Sequence, residues 1–247
     1  MAFYYSYMGN KRKELQFFDK YINLDSFDSV IEPFGGSGYF SRHLFKQDPS
    51  KKYIISDNNQ FLVNFCNNFY KNDDDIINKA IEKMNEIKTK EEYNKFIKNG
   101  SKLDLVFNLI FNTWYNIRPG LYADKKPQYK ALKKNKEQLN LFFQTNEYLL
   151  KDYVQQLEIY KDDERALIFL DPPYILSCNA LYESPSIDWG YLYDFTRCCK
   201  CKFIIIVNEN IFMKLLFKEF LKESNNKIYE GSKKKVIHNI YTNINII

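Results

Sequence analysis

The sequence predicts an α/β domain whose twisted, mostly parallel sheet is flanked by helices and closed by a terminal β-hairpin. Short apolar segments alternate with helical periodicity in a βαβα order, and two further apolar runs lie near the end of the chain. Between about Asp74 and Gln144 strand signals are missing, which indicates an inserted helical and loop module. We therefore expect residues 1–73 and 145–247 to form the core domain and residues 74–144 the insertion.

The first half of the core contains two strand and helix units. Residues 30–34 form a short apolar run that leads into a glycine turn at 35–38 and an amphipathic stretch at 39–44. Residues 53–57 predict a second strand that ends in an acid, and residues 60–70 predict the next helix. Two such units in succession favour a parallel sheet.

The second half resumes the sheet after the insertion. Residues 166–170 and 203–207 are apolar runs typical of buried strands, and residues 187–197 between them predict a helix. A further helix is expected over residues 211–221. The apolar runs around Ile228 and over residues 236–247 then predict the hairpin.

Composition restricts the class of protein. Hydrophobic residues are 45% and charged residues 27% of the chain, which argues against wholesale disorder. The net charge of +5 permits a polyanionic partner without requiring one. No apolar stretch is long enough for a signal peptide or membrane helix, so we expect an intracellular protein without a membrane partner. The abundance of Lys, Asn, Ile, Tyr and Phe suggests an AT-rich genome, such as that of a virus or a small bacterium. The expected location is therefore the cytoplasm or, for a viral protein, the host cell.

The five cysteines do not resemble the framework of a secreted disulfide scaffold. Cys198 and Cys201 have a C-x-x-C spacing, and with Cys178 and Cys199 nearby a zinc or redox site is an alternative. No second paired motif accompanies them, so we expect reduced, buried structural cysteines and no metal site.

A glycine turn between a strand and a helix lets a ligand approach the backbone at the carboxyl end of a sheet. Gly35, Gly36 and Gly38 fit this role, and a tight connection without any ligand is the alternative. Asp57 ends the next strand, where an acid can accept hydrogen bonds from the ribose of a nucleoside-bearing cofactor. Its alternative role is to cap the helix that begins near Asn59.

The most specific motif is Asp171-Pro172-Pro173-Tyr174, directly after the apolar run 166–170. An exocyclic amino nitrogen such as that of adenine is a poor nucleophile, because its lone pair is delocalised into the ring. A carboxylate and a rigid main-chain carbonyl that accept hydrogen bonds from its two hydrogens localise that pair. Asp171 and the carbonyl of Pro172 have these properties, and Tyr174 offers a face for stacking of an extruded base. A proline turn that merely ends a strand is the alternative.

In this order the motifs resemble the Dam-type family of DNA adenine methyltransferases over nearly the whole chain. The resemblance implies a Rossmann-like S-adenosylmethionine-dependent methyltransferase fold and methyl transfer to the 6-amino group of adenine in double-stranded DNA by base flipping. It implies catalytic roles for Asp171, Pro172, Pro173 and Tyr174. The implied residues that hold S-adenosylmethionine are Tyr7, Lys11, Glu32, Phe34, Gly35, Gly36, Ser37, Gly38 and Asp57. Outside the resemblance, Lys11 would be an ordinary surface lysine.

The family places its target-recognition region between the glycine turn and the catalytic tetrapeptide, where the insertion lies. Residues 111–118 resemble the start of that region, and the DNA contacts that we expect are made by Asn112, Arg118, Tyr122, Lys133 and Lys134. A solvated basic face is the alternative for the lysines, and a place in the core of the module is the alternative for the tyrosine. Residues 125–129 depart from the proline, phenylalanine and glycine element of members with a four-base target, so the target sequence does not transfer.

Two rival functions remain at this level. A methyltransferase of RNA or of the amino group of cytosine could use the same tetrapeptide, and a catalytically silent DNA-binding subunit could keep the same fold. The intact glycine turn and tetrapeptide favour the enzyme, and the motif order favours adenine in DNA. The resemblance is compatible with a companion restriction nuclease and with either a monomer or a weak dimer.

Overall fold

The computed structural model describes residues 11, 14–60, 141–173, 187–229 and 234–245, together with residues 62, 63, 66, 67, 86, 89, 91, 92 and 95. We number its elements in chain order over these residues. The helices are α1 (Leu15–Phe18), α2 (Tyr39–Phe45), α3 (Tyr153–Tyr160), α4 (Trp189–Cys198) and α5 (Ile211–Leu216). The strands are β1 (Ser29–Glu32), β2 (Lys52–Asp57), β3 (Glu147–Leu150), β4 (Ala166–Leu170), β5 (Lys202–Asn208), β6 (Leu221–Tyr229) and β7 (Lys234–Thr242). Short 3-10 turns occur at Asp19–Tyr21, Leu24–Ser26 and Lys218–Phe220.

The described strands form one seven-stranded sheet in the order β3-β2-β1-β4-β5-β7-β6. β1 is parallel to β2 on one side and to β4 on the other, and β4 is parallel to β5. β7 is antiparallel to both β5 and β6. The chain first extends the sheet from β1 to β2 and later returns to the opposite side of β1 with β4. The adjacent carboxyl ends of β1 and β4 therefore form a topological switch point, where open α/β sheets bind ligands.

The central strands are covered on both faces, as expected of parallel strands with continuous apolar sequences. Every residue of β1 and of β4 is buried. On one face, Ile168 of β4 packs in a cluster with Leu157 of α3 and Leu192 of α4. On the other face, Phe169 stacks on Phe40 of α2 with ring centroids 4.0 Å apart. Because helices cover both faces of these two strands, the polar residues of β1 lie at its ends and β4 has none.

Side-chain caps set the starts of three helices. Asp152 accepts a hydrogen bond from Val154 N before α3, and Asp188 accepts one from Tyr191 N before α4. Asn210 accepts one from Phe212 N before α5. Short polar residues at these positions satisfy amide groups that have no partner within the helix.

The predicted fold class is confirmed: the chain is an α/β protein with a mostly parallel sheet and a hairpin at its end. The helix predicted over residues 211–221 is shorter than expected. It ends at Leu216 because Phe217 leaves the helical region, and the chain at Leu221 already belongs to β6. The expectation of buried cysteines holds for Cys201 and is wrong for Cys198, which is exposed.

Contacts between Cα atoms divide the chain into two compact units. One unit comprises residues 1–10 and 60–148, and the other comprises residues 11–59 and 149–247. The division predicted from the sequence, with an insertion over residues 74–144, stays a prediction. Among the helices that the structure describes, none combines the length and the apolar character needed to cross a membrane.

Candidate active site at the carboxyl ends of the parallel strands

The glycine turn between β1 and α2 is held in a conformation that suits glycine. Gly36 and Gly38 have positive φ angles of 47° and 61°. A Cβ atom at Gly38 would lie 2.8 Å from Cδ1 of Ile55, a fully buried residue of β2. Gly35 N donates to Ser56 O at 2.8 Å, and Gly38 N donates to Gly35 O at 2.6 Å. The turn is therefore packed against the end of β2 with its backbone uncovered by side chains of its own.

Asp57, the last residue of β2, stabilises this turn. Its Oδ2 accepts a hydrogen bond from Gly36 N at 3.0 Å, and its Oδ1 accepts one from Asn59 N at 2.9 Å. Burial raises the pKa of Asp57, and these backbone hydrogen bonds oppose that rise. The bond to Asn59 agrees with the capping role considered for Asp57. Each carboxylate oxygen has a second lone pair, so the same group can also accept a ribose hydroxyl.

Glu32, the last residue of β1, is a buried carboxyl group at the switch point. Its Oε2 accepts hydrogen bonds from Ser41 N at 3.0 Å and from Ser41 Oγ at 2.7 Å. Burial raises the pKa of Glu32 to about 7, the bonds from Ser41 and the charge of Arg42 oppose the rise, and Asp171 adds to it. Glu32 is thus close enough to Asp171 for the two carboxyl groups to influence each other.

Asp171 follows β4 directly and forms an ion pair with Lys11. Lys11 Nζ lies 2.5 Å from Asp171 Oδ2, and the side chains are 4% and 20% exposed, respectively. Burial raises the pKa of Asp171, and the charge and hydrogen bond of Lys11 lower it. Asp171 retains access to solvent that Lys11 lacks. The structure therefore brings the predicted catalytic acid and a predicted cofactor residue into direct contact.

The other described site residues surround this edge. Phe34 stacks on Tyr153 of α3 with ring centroids 4.9 Å apart, Ser37 and Pro172 are buried, and Pro173 is half-buried. The remaining predicted residues lie outside the described part of the chain. They are Tyr7, Asn112, Arg118, Tyr122, Lys133, Lys134 and Tyr174.

Sequence reasoning missed a second buried pair beside Lys11. Glu14 Oε1 lies 3.0 Å from His238 Nδ1, and the two side chains are 3% and 1% exposed. Both residues contribute to the electrostatic environment of Asp171, because His238 lowers its pKa and Glu14 raises it. Their distance along the chain gives no local signal, so only the fold brings them together.

Three carboxyl groups end neighbouring parallel strands at this edge: Asp57 on β2, Glu32 on β1 and Asp171 after β4. Carboxylates suit a ligand that carries hydroxyl and amino donors and a positive charge. Gly35, Gly36 and Gly38 have no side chains that would block such a ligand at the turn, which is buried in this structure. The residues present therefore fit a nucleoside cofactor with a cationic centre, such as the sulfonium of S-adenosylmethionine.

Residues 7–118 match the model of the D12 class N6 adenine-specific DNA methyltransferase family. This segment is slightly less than half of the chain and contains the glycine turn and Asp57, whereas Asp171 lies beyond it. The match agrees with the expected class of adenine methyltransferases. The narrower Dam-type assignment stays a prediction.

Solved structures with a similar course of the chain include a putative O-methyltransferase from Nostoc punctiforme PCC 73102, with 8% identity and a TM-score of 0.39. The similarity covers 93% of this chain and 56% of that one. The precorrin 8W decarboxylase from Methanobacterium thermoautotrophicum is 9% identical with a TM-score of 0.33, over 88% of this chain and 82% of that one. The chain thus spans little more than half the length of the first of these structures. A comparison with curated proteins gave no match.

Proposed function

We propose that the protein is a site-specific DNA adenine methyltransferase that transfers a methyl group from S-adenosylmethionine to the 6-amino group of adenine in duplex DNA. The observation that carries the proposal is the position of Asp171 at the switch point, beside the glycine turn and Glu32. A carboxylate beside a nucleoside site is the arrangement that methyl transfer to an amino group needs. The family match to residues 7–118 supports adenine in DNA as the substrate class.

The glycine turn and Asp57 hold the cofactor in this proposal. Bound S-adenosylmethionine supplies a methyl group on a positively charged sulfur, which is open to attack by a nucleophile. Asp57 accepts hydrogen bonds from the ribose hydroxyls while it keeps its own bonds to Gly36 N and Asn59 N. The stacking of half-buried Phe34 on buried Tyr153 restricts the movement of the strand end.

Asp171 and the main-chain carbonyl of Pro172 activate the amino group. Each accepts one hydrogen bond from the nitrogen, which turns the lone pair out of conjugation and toward the methyl carbon. Lys11 occupies Oδ2 of Asp171, so Oδ1 remains available for the substrate. As the nitrogen bonds to the methyl carbon, the bond between that carbon and sulfur would break, and the donor would leave as a neutral thioether. The nitrogen then loses one of its two protons to solvent, and adenine keeps a neutral methylamino group.

The target adenine must leave the helix to reach Asp171, because its amino group is paired and stacked in duplex DNA. Extrusion costs a few kcal/mol, and stacking on Tyr174 offsets part of this cost. Arg118 and its neighbours in the inserted module contact the DNA beside the target, where Lys133 and Lys134 bind phosphates. The substrate implies action inside a cell, in the cytoplasm of a bacterium or of the host of a virus.

A tritiated methyl-transfer assay tests the proposal. The protein is incubated with labelled S-adenosylmethionine and unmethylated duplex DNA, single-stranded oligonucleotides or RNA, and the products are digested to nucleosides. We expect labelled N6-methyladenine from duplex DNA. Label in cytosine, label in RNA alone, or no transfer to any substrate would each contradict the proposal, and the last result would favour a silent DNA-binding subunit.

A further inference from the structure

One turn of backbone joins the ion pair of Lys11 with Asp171 to a buried contact between Glu14 and His238. Glu14 N donates a hydrogen bond to Lys11 O at 2.9 Å, so the two side chains leave the same turn. Lys11 extends to Asp171, and Glu14 extends to His238 on β7. The position of Lys11 is therefore tied to β7 through Glu14.

Burial separates the roles of these groups. Lys11, Glu14 and His238 are at most 4% exposed, whereas the side chain of Asp171 is 20% exposed. A buried charge is costly unless a partner of opposite charge or a hydrogen bond compensates for it. Of these four side chains, only that of Asp171 is exposed enough to contact a substrate. Lys11, Glu14 and His238 can therefore affect the reaction only through Asp171.

The sheet register fixes His238 at the same edge as the catalytic acid. His238 is paired with Asn208, the last residue of β5, and β5 is the parallel neighbour of β4. β7 runs antiparallel to β5, and its residue His238 therefore lies at the edge where the parallel strands have their carboxyl ends. A hairpin at this place can support the active site as well as close the sheet.

We infer that Glu14 and His238 are positioning residues for methyl transfer, which hold Lys11 against Asp171 and control the charge around its carboxylate. The inference rests on the proposed role of Asp171. It assigns a function to the C-terminal hairpin, from which no catalytic role is expected on the sequence.

The charged groups around Asp171 oppose one another. Lys11 and His238 lower its pKa, and Glu14 raises it. From β1, Glu32 also interacts with Asp171, and Arg42 of α2 acts on Glu32. Asp171 accepts hydrogen bonds from the substrate as a carboxylate, so turnover falls as the pH drops through its pKa. A variant that removes one of these charges therefore moves the acidic limb of the pH profile in a direction set by the sign of that charge.

Two conservative variants give opposite expectations. Glu14→Gln removes a negative charge that raises the pKa of Asp171 and keeps the shape of the side chain beside His238, so the acidic limb of the kcat profile moves to lower pH. His238→Asn removes the imidazole that lowers the pKa of Asp171 and keeps a polar side chain beside Glu14, so the limb moves to higher pH. The double variant brings the limb back toward that of the wild type. Glu158→Gln, on the exposed face of α3, is the matched control and leaves the limb unchanged.

His238→Ala removes the contact altogether and tests positioning. We expect kcat to fall by about 10-fold to 100-fold, because small misplacements of catalytic groups have effects of this order. The KM for S-adenosylmethionine should be unchanged, and His238→Asn should recover most of the lost turnover. Opposite shifts of the limb and this recovery would support the inference, whereas stability losses with an unmoved limb would overturn it.

An NMR titration keeps the inference testable if His238→Ala folds poorly, and it needs no substrate. In protein labelled at the aspartate carboxyl carbon, the pKa read from the Asp171 signal should be lower in Glu14→Gln than in the wild type, because Glu14 raises that pKa. An unchanged pKa of Asp171 in Glu14→Gln would overturn the inference. Absence of methyl transfer by the wild-type protein would instead contradict the proposed function. The titration by itself tests whether the residues beside Lys11 set the pKa of Asp171.

Discussion

Gly38 provides the sharpest test of the geometry of the glycine turn. Gly38→Ala places a Cβ at a φ of 61°, and this left-handed conformation costs an ordinary residue about 1–2 kcal/mol. The new atom would also lie 2.8 Å from Ile55 Cδ1 in a fully buried position. Overpacking of that kind costs about 1–3 kcal/mol. The free energy of unfolding is therefore expected to fall by about 2–5 kcal/mol, the sum of the two effects.

The two contributions can be separated with Ile55→Val, which removes the Cδ1 methyl group. Alone, this change costs about 0.5–1.5 kcal/mol. In the valine background, Gly38→Ala should cost only the left-handed contribution of about 1–2 kcal/mol. Equilibrium unfolding in urea of the wild type, both single variants and the double variant gives the coupling energy.

Gly190→Ala is the matched control, because Gly190 lies in the first turn of α4 and has no positive φ. Its new Cβ would approach Asp188 Oδ1 at 3.2 Å, and alanine gains helix propensity there, so the change should stay within about 1 kcal/mol. An equal cost of Gly38→Ala in the wild-type background and in the Ile55→Val background would refute the packing argument. No cost in either background would refute the left-handed conformation as well.

Three further outcomes are expected from the site and its surroundings. Asp57→Ala should raise the Kd for S-adenosylmethionine about 10-fold to 100-fold, since a hydrogen bond to a charged group contributes about 1.5–3 kcal/mol; calorimetry that finds an unchanged Kd would contradict its ribose role. Between pH 4.5 and 7 folded Glu32 retains a proton that the unfolded chain releases, so ionisation should lower the free energy of unfolding by about 3 kcal/mol as the pH rises. Glu32→Gln should flatten this pH dependence in urea unfolding, and a slope equal to that of the wild type would argue against it. Alkylation of the native protein, followed by mass spectrometry, should label exposed Cys198 well before buried Cys201, and equal rates would contradict the packing of β5.

The parts of the fold that the sequence predicted well are those with an unmistakable apolar pattern. The strand expected at residues 166–170 coincides with β4, because a strand buried on both faces is apolar throughout. β6 was expected only around Ile228, and its first half was missed. That half contains Leu221, Lys222 and Glu223, followed by further polar residues, so its sequence does not alternate between apolar and polar positions. It forms a strand because it pairs with β7.

The residues of the candidate site likewise fall into two groups, those that local sequence indicates and those that only the tertiary fold brings together. The positions of the glycine turn, Asp57 and Asp171 at strand ends could be predicted because each is next to a strand signal. The pairs Lys11 with Asp171 and Glu14 with His238 could not be predicted from spacing, since they depend on how the chain returns to the edge of the sheet. Long-range electrostatic partners are determined by the tertiary fold, which local patterns do not encode.

Asp171 is the residue on which the proposed methyl transfer depends most directly, and a single-turnover measurement with Asp171→Asn tests its role. The amide oxygen of asparagine can still accept from Lys11, which limits the loss of stability expected when a buried charge loses its partner. The amide NH2 then points to the amino group of the substrate, where an acceptor is needed. We expect methyl transfer to adenine in duplex DNA to slow by orders of magnitude while the Kd for S-adenosylmethionine stays near that of the wild type. Transfer at an undiminished rate by a folded Asp171→Asn protein would contradict the account.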